Sequence, residues 1–169
     1  MKKLNDEYKK LLVEAEYHLQ EAESRNKRLQ KETDEIRVNV LAKNILDSCL
    51  NVIEATMRAC IIAMGYSFGK RVKSERFGDI IKTKHKTLYS IFFSRIGELI
   101  DKSIEIDGLK LSKIPATILD YRNALYPGAS TLPSDARKKI ANFSFLDTKN
   151  WLAFIKDELL PKIIHKEKI

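Results

Sequence analysis

Residues 36–64 read IRVNVLAKNILDSCLNVIEATMRACIIAM, and this stretch decides the fold. Val40, Leu41, Ile45, Leu46, Cys49, Leu50, Ile53, Met57, Cys60 and Ile61 recur at spacings of one, three and four, so the run is helical and apolar on more than one face. A helix hydrophobic over that much of its circumference belongs at the centre of a bundle. No Gly or Pro interrupts it, Thr33 or Asp34 supplies a capping side chain just before it, and Gly65 follows as a C-terminal stop.

Upstream, the chain is equally free of breakers: every Gly and every Pro falls after residue 64. Leu4, Tyr8, Leu11, Ala15, Leu19 and Ala22 form an amphipathic stripe among Lys, Glu, Gln and Arg, which predicts a first long helix. The stripe fades over Glu23–Glu35. Downstream, residues 65–86 combine three glycines with a dense basic run and read as a long connection. A third helix follows with Leu88, Ile91, Phe92, Ile96, Leu99 and Ile100, closed by Asp107-Gly108. Pro115 opens a fourth, which Pro127-Gly128 ends. Pro133-Ser134-Asp135 starts a short helix to about Phe143. Asp147 caps a final one carrying Trp151, Phe154, Ile155, Leu159 and Ile163, with Pro161 placed to kink or shorten it.

The predicted architecture is all-α: an up-down helical bundle with two long N-terminal helices and three to four shorter ones, a single domain over residues 1–169. Composition agrees. Six Gly and four Pro in 169 residues are roughly half the usual share, which argues against a turn-rich sandwich or barrel. With 44% hydrophobic and 32% charged residues the chain is too apolar to be disordered, and it has no uninterrupted apolar run of about 18 residues to span a bilayer. Cys49 and Cys60, eleven positions apart on one helix, stand roughly 16 Å apart. That excludes a disulfide between them and predicts two small buried hydrophobes. The opening MKKLNDEYKKLLVEAEYHL lacks the features of a secretory leader, so the expected location is cytoplasmic.

The formal charge of +8 is unevenly distributed. Residues 1–64 carry 11 basic and 11 acidic side chains, so the excess lies entirely in residues 65–169. Its peak is Lys70, Arg71, Lys73, Arg76, Lys82, Lys84 and Lys86 against Glu75 and Asp79 alone. Tyr66, Phe68 and Phe77 are interleaved. Cations for phosphates and flat faces for bases suit single-stranded nucleic acid; a solvated connection with core-plugging aromatics gives the same pattern. Smaller basic groups occur at Arg137, Lys138 and Lys139 and at Lys162, Lys166 and Lys168.

Catalytic motifs are few. His18, His85 and His165 share no ligand spacing with one another or with the cysteines, so no metal site is predicted. Gly69-Lys70 is followed by Arg71, which fails the phosphate-loop pattern, and no Gly-x-Ser-x-Gly elbow exists. Glu98, Asp101 and Glu105 read as solvated charges one turn apart. No cofactor is expected.

The segment Asp120-Tyr121-Arg122-Asn123-Ala124-Leu125-Tyr126-Pro127-Gly128 resembles the HEPN superfamily of small all-helical domains. Its ribonuclease members carry an Arg, commonly followed by Asn, and a His four to six residues later. The resemblance implies a groove between two protomers, with the His assisting attack by the RNA 2′-hydroxyl and the Arg stabilising phosphate charge. Arg122 and Asn123 match the motif, but no His follows them. Tyr126 stands in that window, and a phenol ionising near pH 10 is a poor general base at neutral pH. The resemblance therefore implies a non-catalytic relative: a homodimer binding RNA or a partner protein, in a toxin–antitoxin or antiviral setting. Two alternatives stand beside it: a metal-independent endoribonuclease using Arg122 with Tyr126 or His85, and a helical adaptor whose N-terminal stripe pairs with a partner helix. The purely structural role for Arg122 is an ion pair with Asp120 or a cap on its helix.

Overall fold

A computed structural model describes residues 2–63, 92, 121–122, 125 and 132–166. Among these every regular element is helical: α1 (Lys2–Leu29), α2 (Glu35–Ala63), α3 (Ser134–Phe154), a π-helical segment (Ile155–Leu159) and α4 (Leu160–Lys166). Phe92, Tyr121, Arg122 and Leu125, from the third and fourth predicted helices, are also helical. The rest of those two helices, the 65–86 connection and the Gly65 stop lie outside the described residues.

The turn from α1 to α2 needs no glycine. After Leu29 the last turn tightens, with the Lys31 and Glu32 amides donating to the Arg28 and Leu29 carbonyls at 3.1 and 3.2 Å. The Glu32 carboxylate then accepts the amides of Thr33 and Asp34, both at 3.0 Å. Asp34 is the N-cap: its Oδ1 accepts the Arg37 amide at 2.9 Å, and its carbonyl begins the helix by accepting the Val38 amide at 2.9 Å.

The helix predicted to be central is central. Eighteen of the 29 residues of α2 are buried, too many for a helix covered on one side only. The N-terminal end departs from the pattern: Val40 is 49% exposed and Ile36 76%, so this turn has solvent where the later turns have neighbours. Helix α1 runs antiparallel to α2, with Arg25 donating to Ser48 at 2.7 Å and Ala15 packed with Val52 and Ala55. Its inward face is Tyr8, Ala15, Ala22 and Leu29 with Leu12 and Leu19, two heptad-spaced rows. The stripe does not fade at Glu23. Leu29 is fully buried, and between Ala22 and Leu29 Asn26 holds the seam by donating to Asn142 at 2.9 Å.

Helix α3 lies against both. Arg137 reaches Glu35 and Trp151 reaches Thr56, so α3 runs parallel to α2, while the contacts of Asn142 with Asn26 and of Lys156 with Glu16 set it antiparallel to α1. The two C-terminal helices predicted from Pro133 and Asp147 are one. Nothing between Phe143 and Asp147 breaks the backbone, and the hydroxyls that cap helices elsewhere are absorbed internally. Ser144 donates to the Ile140 carbonyl at 2.9 Å and Thr148 to the Ser144 carbonyl at 2.7 Å. Pro161 does not stop the helix either. Lacking an N–H for the Asp157 carbonyl, it is accommodated by the wider turn ahead of it, where the Leu160 amide donates to the Ile155 carbonyl.

Trp151 is the core anchor. It is fully buried, packs on Phe92 at 5.9 Å between ring centroids, and its indole N–H donates to Thr56 Oγ1 at 2.8 Å. A buried indole needs that acceptor; leaving it unmade costs about 1–3 kcal/mol. Cys49 and Cys60 are free and buried as expected.

Candidate functional site

Helix α2 carries a half-buried charged row at helical spacing, Lys43, Asp47, Glu54 and Arg58. Glu54 and Arg58 pair at 3.6 Å on successive turns. Arg122 joins the row from a distant part of the chain, its Nε 3.4 Å from Asp47 Oδ1, with the two side chains 33% and 42% exposed. The structural role expected for Arg122 is an ion pair with Asp120 or a cap on its helix; Asp120 lies outside the described residues, and Asp47 of α2 is a carboxylate that Arg122 reaches.

Beside this pair, Tyr121 packs edge-on against Phe143 of α3 with centroids 6.0 Å apart. Asp147, one turn further along α3, is half-buried, and desolvation pushes its carboxyl above the usual range. Tyr121 is displaced in the same direction, first by desolvation and then by the Asp147 charge. Deeper, burial pushes the Cys49 thiol up to about 12; Asp147 adds to this and the Thr148 hydroxyl opposes it. Cys60 is raised by burial alone. Neither thiol is therefore a nucleophile at neutral pH. Arg122 with Asp47 and Tyr121 with Asp147 bring polar groups of α2, α3 and the 121–122 segment together, an arrangement able to hold a cation–carboxylate pair and lacking an imidazole among the described residues.

Of the residues singled out as candidate catalytic or nucleic-acid-binding positions, Arg122 alone is described. Asn123, Tyr126, the seven cations Lys70, Arg71, Lys73, Arg76, Lys82, Lys84 and Lys86, the carboxylates Glu98, Asp101 and Glu105, and His85 lie outside the described residues. His18 sits 3.7 Å from Glu14 one turn away, a half-exposed helical contact. No group of three or more His, Cys, Asp or Glu suited to a metal occurs among the described residues, and no described helix is long and apolar enough to cross a membrane.

The basic group at the start of α3 has a structural use. Arg137 is 1% exposed and donates to the Leu132 carbonyl through Nε at 2.9 Å, to the Glu35 carbonyl at 3.3 Å and to the Glu35 carboxylate at 2.8 Å. The guanidinium is out of water while the Glu35 carboxylate keeps its solvent, so it is the two carbonyls together with this carboxylate that satisfy the buried charge. Lys138 donates to the Glu32 carbonyl at 2.7 Å. These two cations lock the turn between α1 and α2 onto α3.

An apolar groove of about 450 Å³ opens at the other end of the molecule, between α1 and α4. Sequence reading missed it, although Tyr8 in the first stripe and the 160/164 spacing in the last helix are its signals. Compared with family models, curated proteins and solved structures, the chain matches none.

Proposed function

We propose that this chain is a non-catalytic, HEPN-like up-down helical bundle that dimerises and binds RNA through the basic surface of its second half. The observation that carries the non-catalytic reading is the ion pair between Arg122 and Asp47. A guanidinium held by a carboxylate of its own chain spends its charge on joining two helices, and a transition-state phosphate would have to compete with that carboxylate for it. The RNA reading is supported by charge partition. Residues 1–64 are electrically neutral, whereas the run from Lys70 to Lys86 holds seven cations against two carboxylates. Arg137 and Lys138 serve packing, so that run is the larger reserve of charge for phosphates.

The test is binding of single-stranded RNA by the full chain across a salt series. Affinity is expected to fall steeply with ionic strength, and joint reversal of Lys70, Arg71 and Lys73 to Glu flattens that slope. Absence of binding at low salt defeats the nucleic-acid reading and leaves the adaptor. Cleavage giving 2′,3′-cyclic phosphate ends, lost in Arg122→Ala, defeats the non-catalytic one and establishes the endoribonuclease.

A further inference from the structure

The groove between α1 and α4 has the composition of a small-molecule site. Leu12, Leu160, Pro161 and Ile164 make an apolar surface, Tyr8 forms one wall, and among the described residues the charged side chains lining it are Lys9 and Lys156. Its volume of about 450 Å³ falls within the range of pockets that take one small ligand. The wide turn enforced by Pro161 builds it. In a π segment residues four and five apart lie over one another, which sets Lys156 above Leu160 and Pro161. A proline there exposes carbon with no amide N–H to satisfy.

Charge supplies the second half of the argument. Lys156 is paired with Glu16, while Lys9 is exposed and makes no ion pair among the described residues. Among the described residues two ammonium groups and one carboxylate therefore meet at the groove edge, a balance that one further negative charge would neutralise. We propose that this groove binds a free single-chain aliphatic carboxylate, its tail on Leu12, Leu160, Pro161 and Ile164 and its headgroup at Lys9 and Lys156. Long lysine stems cover apolar surface while presenting the charge at its edge, which matches such an amphiphile end to end.

Calorimetric titration of the full chain with dodecanoate, kept below its micellar concentration, tests this. Saturable binding at one molecule per chain is expected, at least tenfold weaker in Lys9→Glu. Lys9 is exposed, so this variant retains the fold, as circular dichroism checks. Dodecyltrimethylammonium, with the same tail and the opposite charge, is expected not to bind. Equal affinity for the two detergent-like ions, unchanged affinity in Lys9→Glu, or binding to phosphatidylglycerol vesicles without binding of monomeric dodecanoate overturns the proposal.

Discussion

Desolvation of Asp147 beside the Tyr121–Phe143 pair opposes its ionisation, and this couples a single residue to the pH dependence of stability. An ordinary carboxyl titrates near 3.8, and the folded one does so at a higher pH. Between those two values the native state holds more protons than the unfolded state, so stability falls as pH rises through the window and stays lower above it. Asp147→Asn removes the charge and with it the penalty. Because the side chain is only half-buried, solvent screening keeps the effect small: Tm at pH 7 is expected to rise by about 2 °C, with no gain at pH 3. Thermal melts at the two pH values check this, and an equal shift at both assigns the effect to packing instead. At this scale the sequence misleads about cations. Arg137, Lys138 and Lys139 are three consecutive basic residues and read as one surface group, yet Arg137 is nearly inaccessible because two elements converge on it.

Element boundaries follow local chemistry where that chemistry is unopposed. Asp34 caps α2 because its carboxylate meets a free amide three residues on, a relation visible in the sequence. Asp147 has the same appearance and no such role, since α3 is already propagating through it. Helix α1 shows the limit of pattern reading in another way. The sequence pattern places Leu11 in the stripe, whereas the seam packs Leu12; both lie beside the same face, and only the partner helix distinguishes them. Ala15 and Ala22 are fully buried on that seam, so α1 approaches α2 closely where they sit. Ala22→Leu inserts three carbons into a filled space and is expected to cost about 1–3 kcal/mol. The exposed control Tyr17→Ala stays within about 0.5 kcal/mol. Chemical denaturation of both variants measures the difference, and a neutral Ala22→Leu means the seam has room that the burial denies.

Across the whole molecule, α3 fastens the hairpin at both ends: Arg137 and Lys138 at the turn, Trp151 in the core, and Lys156 on Glu16 beyond it. The three helices are therefore expected to open together. Native-state hydrogen exchange should give the slowest amides of α2, around Ile45–Ile53, and those of α3, around Phe145–Trp151, the same opening free energy. Release of α3 at markedly lower cost than α2 shows that the hairpin is the folding unit and α3 an attachment.

By itself the sequence determined helical content, a nearly unbroken N-terminal half, the centrality of α2, the Asp34 cap and the burial of both cysteines. Each of these follows from apolar periodicity, missing breakers or a side chain acting on its own backbone a few residues away. The tertiary structure alone decided that α2 and α3 run parallel, that Arg122 meets Asp47, that Arg137 is an internal cross-link, and that a lysine-edged groove opens between α1 and α4. Those facts join residues far apart in the chain, 102 positions for Glu35 and Arg137, and no local spacing encodes which distant carboxylate, carbonyl or apolar turn a side chain meets once the helices pack.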